Sequence, residues 1–145
     1  MSVQMVLASQ EVKVGYSISY NELTADFPYG KDNFTVSFFV NDRKEPLKVT
    51  DLCREKPRVF LVGASKSRAI FFVVRDRGNK TLGTAYKIVN GRLSVIWEYL
   101  SISDIVVTSP KTGTLKVEVW SRGEDSERIQ GDRSLHRYIK TFKCP

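Results

Sequence analysis

The sequence predicts an all-β protein of about eight antiparallel strands, arranged as a sandwich or a barrel. Two segments alternate strictly. Val12, Val14, Tyr16, Ile18 and Tyr20 interleave with small or polar residues, and Leu115, Val117 and Val119 interleave with Lys116 and Glu118. A period of two puts every second side chain on one face, as in a half-buried strand. Turn signals recur every ~8–12 residues, and no long apolar stripe of helical period interrupts them.

Taken in order, residues 11–20 form the first strand, and Asn21 to Asn33 form a loop marked by Pro28 and Gly30. Phe34 to Val40 is a strand, turned by Asn41-Asp42-Arg43-Lys44. Leu47 to Thr50 reads as a short strand, and Asp51 to Pro57 as a charged loop or one helical turn. Arg58 to Val62 is a strand, and Gly63 to Arg68 a basic turn. Ile70-Phe71-Phe72-Val73-Val74 runs into Arg75-Asp76, and a Gly78-Asn79 turn leads through Leu82-Gly83 into a strand from Thr84 to Val89. That is a hairpin pattern. Asn90-Gly91 is a tight-turn signal before a strand from Leu93 to Leu100. Residues 101–112 read as a connection, with Ser109-Pro110 as punctuation, before the strand from Leu115 to Trp120.

One domain, residues 1–120, is expected to hold these strands, followed by a charged extension over residues 121–145 whose packing on that domain the sequence leaves open. In that tail Leu135, Tyr138, Ile139 and Phe142 fall at helical spacing. The same residues fit a last edge strand from Arg137 to Lys143 with Tyr138 and Phe142 inward, and both alternatives stand.

A chain of 145 residues with 41% hydrophobic and 27% charged residues suits one soluble globular domain. No apolar run reaches the ~18–20 residues that span a bilayer, and the N-terminus lacks the pattern of a signal peptide. Cys53 and Cys144 match no metal spacing, so a reduced cytoplasmic setting is expected, with Cys53 a free thiol. The net charge is +7, and its distribution is uneven. Between Asn41 and Arg92 there are 13 Lys and Arg against 5 Asp and Glu; the rest of the chain has 10 against 11. A basic middle of this size points to an anionic partner.

No enzymatic activity is expected. The single histidine, His136, has no nucleophile elbow or cysteine dyad to pair with, and no phosphate-cradling glycine loop is present. Asp26, Asp32 and Asp76 are acceptors without an accompanying base.

These aspartates and the order of motifs around them resemble a C2 domain, the calcium- and phospholipid-binding sandwich family. The resemblance rests on Val12 to Leu23, on Asp32-Asn33-Phe34-Thr35-Val36, and on Phe72 to Asp76 followed by Leu82-Gly83. Trp97-Glu98-Tyr99-Leu100 and Gly113-Thr114-Leu115-Lys116-Val117-Glu118-Val119 complete it, over residues 11–120. It implies an eight-stranded antiparallel β-sandwich. In calcium-binding members two loops supply about five carboxylates, because a hard cation needs six to eight oxygens. Here Gly78 and Lys80 stand where further aspartates are expected, and Arg75 and Arg77 flank Asp76. Such positive charge offsets the field that would hold the ion. Asp26, Asp32 and Asp76 therefore read as a vestigial site; no metal or cofactor is expected, and calcium binding is weak or absent.

The expected function is calcium-independent binding of anionic membrane phospholipid, a phosphoinositide in particular, with a protein partner at the membrane as a further possibility. The protein is then cytoplasmic and peripheral at membranes. The candidate lipid contacts are Arg43, Lys44, Lys48, Lys56, Arg58, Lys66 and Arg68; the candidate loop-tip contacts are Phe27, Tyr29, Lys31, Arg75, Arg77 and Lys80. Near an anionic leaflet each cation contributes about 1 kcal/mol. The alternatives are a protein-interaction module without lipid binding and, less favoured, a nucleic-acid-binding barrel; no nucleic acid is expected as partner.

Overall fold

The five consecutive apolar residues Ile70 to Val74 have no polar partner positions between them, and a strand of that kind needs cover on both faces. The computed structural model shows both covers. It describes residues 2–7, 12–21, 32–41, 43–44, 48–53, 55–121 and 135–144. Twelve strands are present among the described residues: β1 (Ser2–Leu7), β2 (Val12–Asn21), β3 (Asp32–Val40), β4 (Arg43–Lys44), β5 (Val49–Cys53), β6 (Arg58–Ser65), β7 (Arg68–Asp76), β8 (Thr81–Val89), β9 (Arg92–Ser101), β10 (Val106–Lys111), β11 (Thr114–Ser121) and β12 (His136–Lys143). No helix occurs among the described residues, and so no helix there is long and apolar enough to cross a membrane.

The strands form three antiparallel sheets. A central sheet has the order β6-β7-β8-β9. An outer five-stranded sheet has the order β1-β2-β3-β4, with β5 also paired to β3, and a three-stranded sheet has the order β10-β11-β12. Alternate residues of β7 serve different cores. Ala69, Phe71 and Val73, with Tyr86 and Ile88 of β8, pack against Val14, Val36, Phe38 and Val40 of the five-stranded sheet. Ile70, Phe72 and Val74, with Ala85, pack against Leu115, Val117, Val119 and Phe142 of the three-stranded sheet.

The all-β, antiparallel expectation holds, and the count of about eight strands is corrected to twelve in three layers. The extra strands lie where the sequence signal is weak. Ser2–Leu7 carries only a broken apolar stretch, yet pairs with β2 from Ser2↔Ser17 to Leu7↔Val12. Val106–Lys111, read as a connection, is the outer strand of its sheet, and Pro110 falls in the register shift between Thr108 and Lys111, where prolines are tolerated. Asp51 to Cys53, read as loop or helical turn, continues β5. The tail takes its strand alternative: β12 pairs with β11 along its length, with Phe142 buried and Tyr138 on the same face. Asn90 and Gly91 have φ of 51° and 77°, the left-handed pair that a two-residue hairpin turn needs.

The three-stranded sheet runs across the central one. The Gly113 and Cys144 ends of β11 and β12 abut Gly63 of β6. Their other ends reach β9, where the Ile102 N–H donates to the Trp120 carbonyl at 3.0 Å and the Tyr138 ring lies 6.2 Å from that of Tyr99. Sheets packed face to face at a large angle in this way share a core chiefly where they overlap. The overlap is centred on Phe72, Trp97 and Phe142, whose ring centroids lie 5.6–6.1 Å apart.

Candidate functional site

Three turns meet at one end of the sandwich. They are the β3–β4 turn at Asn41, the β6–β7 turn at Lys66-Ser67 and the β8–β9 turn at Asn90-Gly91. Side chain and backbone lock them together. Asn41 Nδ2 donates to the Lys66 carbonyl at 3.4 Å, and the Asn90 N–H donates to the Ser67 carbonyl at 3.0 Å. Asn41, Lys66 and Asn90 are the three non-glycine residues with positive φ among the described residues, at 55°, 53° and 51°. Asparagine tolerates that region; a lysine there is uncommon.

Two adjoining hollows open at this end. One, of about 370 Å³, has an apolar floor of Val40 and Ile88 and a rim of Asn41, Arg43, Ser67, Asn90 and Gly91. The other, of about 470 Å³, is lined by Ser65, Lys66, Ser67, Arg68 and Asn90. Arg43, Lys66 and Arg68 are exposed, and Arg92, which follows Gly91 directly, is exposed too. Among the described residues no carboxylate lines either hollow. The arrangement offers cations and neutral donors around a small apolar floor, a lining suited to a negatively charged group.

The predicted lipid contacts therefore divide. Arg43, Lys66 and Arg68 gather at the turn end. Lys44 closes β4 beside them in sequence, with its side chain outside the described part. Lys48 is exposed just before β5. Lys56 and Arg58 lie elsewhere, in a hollow shared with Glu55, Asp76 and Asp104, so carboxylates interrupt the positive charge there. Seven residues read as one strip are thus not one surface.

The predicted loop-tip contacts divide as well. Phe27, Tyr29, Lys31 and Asp26 lie outside the described residues, and of Asp32 only the backbone is described, paired with Cys53. Arg77 and Lys80 are exposed in the β7–β8 turn, where the Arg77 N–H donates to the Lys80 carbonyl at 2.9 Å. Arg75 is no loop-tip residue. It is 2% exposed, and its guanidinium donates to Thr84 Oγ1 at 3.1 Å and Tyr86 Oη at 2.7 Å. Thr84 Oγ1 in turn donates to Glu98 Oε2 at 3.2 Å. The reason is periodicity: Arg75 follows Phe71 and Val73 on the face that the five-stranded sheet covers.

Asp76 has a local structural task, since its Oδ1 accepts the Gly78 N–H at 2.9 Å and shapes the turn. Among the described residues no cluster of three or more His, Cys, Asp or Glu is placed to hold a metal ion. His136 is exposed at the start of β12, opposite Ser121. Cys144 is partly covered; burial raises its thiol pKa, and Lys87 nearby acts in the opposite sense.

Sequence reading missed Asn41, Ser67, Asn90 and Arg92 as site residues. The Asn41 and Asn90-Gly91 turns were legible. That three turns from two sheets converge depends on the sheet order, which no local signal carries. No family model matches the chain, and comparison with curated proteins and with solved structures returns no match.

Proposed function

We propose that the turn end docks on anionic phospholipid, a phosphoinositide headgroup in particular, without calcium. One observation carries the reading: Arg43 from the β3–β4 turn and Lys66 and Arg68 from the β6–β7 turn come to the rims of two adjoining hollows, and no carboxylate stands among the described lining residues. A headgroup phosphate would take charge-assisted hydrogen bonds from the arginines, with Ser67 and Asn90 as neutral donors. The Val40 and Ile88 floor would take an apolar portion of the ligand. The C2-like motif order over residues 11–120 belongs to this proposal; the third sheet is an addition to the two-sheet sandwich that the resemblance implies. A module of this kind would be peripheral at membranes and non-enzymatic.

Vesicle co-sedimentation tests the reading. Vesicles of phosphatidylcholine alone should leave the protein in the supernatant. Adding phosphatidylserine or a phosphorylated phosphatidylinositol should pellet it, the latter more strongly. Arg43→Glu with Lys66→Glu should weaken pelleting roughly tenfold or more, since each cation contributes about 1 kcal/mol at an anionic surface. Binding should also fall as salt shortens the Debye length below ~10 Å. Equal pelleting on neutral and anionic vesicles, or no loss in the double variant, would sink the lipid reading.

A further inference from the structure

The two hollows at the turn end open on different faces of the central sheet. Ile88, in the floor of the first, packs with Ala69 in the core toward the five-stranded sheet. Arg68, in the second, directly precedes Ala69 on β7, and successive residues of a strand point to opposite faces. The wall between the hollows is the hairpin tips themselves. Ser67 and Asn90 line both, and the Asn90 N–H donates to the Ser67 carbonyl at 3.0 Å.

Each face has its own cations. On the first, Arg43 stands over the Val40 and Ile88 floor. On the second, the register aligns Arg68, Val89 and Arg92 across β7, β8 and β9. Ile70, two residues further along β7, belongs to the core under the three-stranded sheet, and that cover stops short of the next row. Arg68 and Arg92 are exposed there, and Val89 is only half-buried. Neighbouring strands lie ~4.8 Å apart, so the two arginine backbones stand roughly 10 Å apart across Val89. Two guanidinium side chains set that way can converge on one phosphate above the valine. Lys66, at the tip, adds a third cation to this face.

We propose that the turn end holds two anionic headgroups at once, one on each face of the hairpin tips, with Arg68 and Arg92 binding the second. This rests on the lipid reading above and extends it from one contact to two. A sheet layer is ~10 Å thick, so one phosphate cannot serve both faces, whereas two headgroups side by side in a leaflet can flank the tip. Linked sites make the second contact intramolecular once the first has formed. Binding then follows the product of two occupancies, and doubling the density of anionic lipid should raise it about fourfold while binding is sparse.

The first probe is deacylated phosphatidylinositol 4-phosphate, titrated into the full chain and followed through backbone amide shifts. Two groups of amides should move with separate saturation curves, one around Val40 and Asn41 and one around Arg68 and Arg92. Arg43→Gln should abolish the first response and keep the second; Arg68→Gln plus Arg92→Gln should do the reverse. Vesicles of phosphatidylcholine with a rising fraction of phosphatidylinositol 4-phosphate supply the second readout. Pelleting of the wild-type chain should rise with about the square of that fraction. In either variant it should rise in direct proportion, with affinity lower by roughly tenfold or more. One saturation curve shared by both groups of amides, or a linear dependence in the wild type, would leave a single headgroup site and overturn the proposal. Lipid docking itself would survive that result. It falls, and this proposal with it, if no fraction of the anionic lipid pellets the chain.

Discussion

Lys66 holds a backbone conformation with φ of 53°, in a turn gripped by Asn41 and Asn90. The left-handed region costs an L-residue with a bulky side chain about 1–2 kcal/mol, and glycine avoids that cost. The short β6–β7 turn sets the positive φ, and the proposed headgroup contact would give the lysine side chain a use there. Lys66→Gly is accordingly expected to raise stability by up to about 1 kcal/mol in denaturant melts, after glycine's own entropy is offset. It should weaken pelleting with anionic vesicles at the same time. A variant that binds as well as wild type would remove Lys66 from the site. Arg75 shows the limit of reading at this scale. Its charge and its place before a Gly-Asn turn suggest a loop contact, whereas its parity with Phe71 and Val73 puts it under the five-stranded sheet. The parity was legible; the cover over that face was not.

Among the elements, strands with strict alternation or unbroken apolar character were legible to within a few residues: β2, β7, β8, β9 and β11. Strands recruited by pairing alone were not. β10 has the β-branched run Val106-Val107-Thr108, but Pro110 and the serines around it read as punctuation. β12 fits two periods, and the choice between them was made by β11, whose Leu115 lies opposite Phe142. The point where β12 crosses β6 gives that choice a test. An added Cβ on Gly63 would stand 2.5 Å from the Cβ of Cys144 and 3.4 Å from the Gly113 backbone. Neither neighbour is the far end of a flexible side chain. Gly63→Ala should therefore cost about 1–3 kcal/mol, the range for overpacking a closed contact. Cys144→Gly in the same chain should recover part of that loss. No loss in the single variant would mean that β6 and β12 do not meet as closely as described.

For the whole molecule, the question is whether three layers melt as one. β7 and β8 are shared by both cores, so neither core can open without disturbing the strands that build the other. Phe71 and Phe72 are adjacent, fully buried and face opposite layers. Phe71 packs on Phe38, at 4.7 Å between ring centroids, in the core with the five-stranded sheet. Phe72 packs on Trp97 and Phe142, on the three-stranded side. Each Phe→Ala change should cost about 3–5 kcal/mol. Trp97 lies in the core with the three-stranded sheet and Trp120 in β11, so tryptophan emission reports that side of the molecule. In a single cooperative domain Phe71→Ala, on the far layer, should shift the tryptophan transition as much as it shifts far-ultraviolet dichroism. Phe72→Ala should shift both by a similar amount. If Phe71→Ala left the tryptophan transition in place while dichroism fell in a separate, earlier step, the five-stranded sheet would be an independent unit. Mutual support through β7 is what makes the single transition the expected result, and the same sharing explains why its central residues alternate in partner but not in polarity.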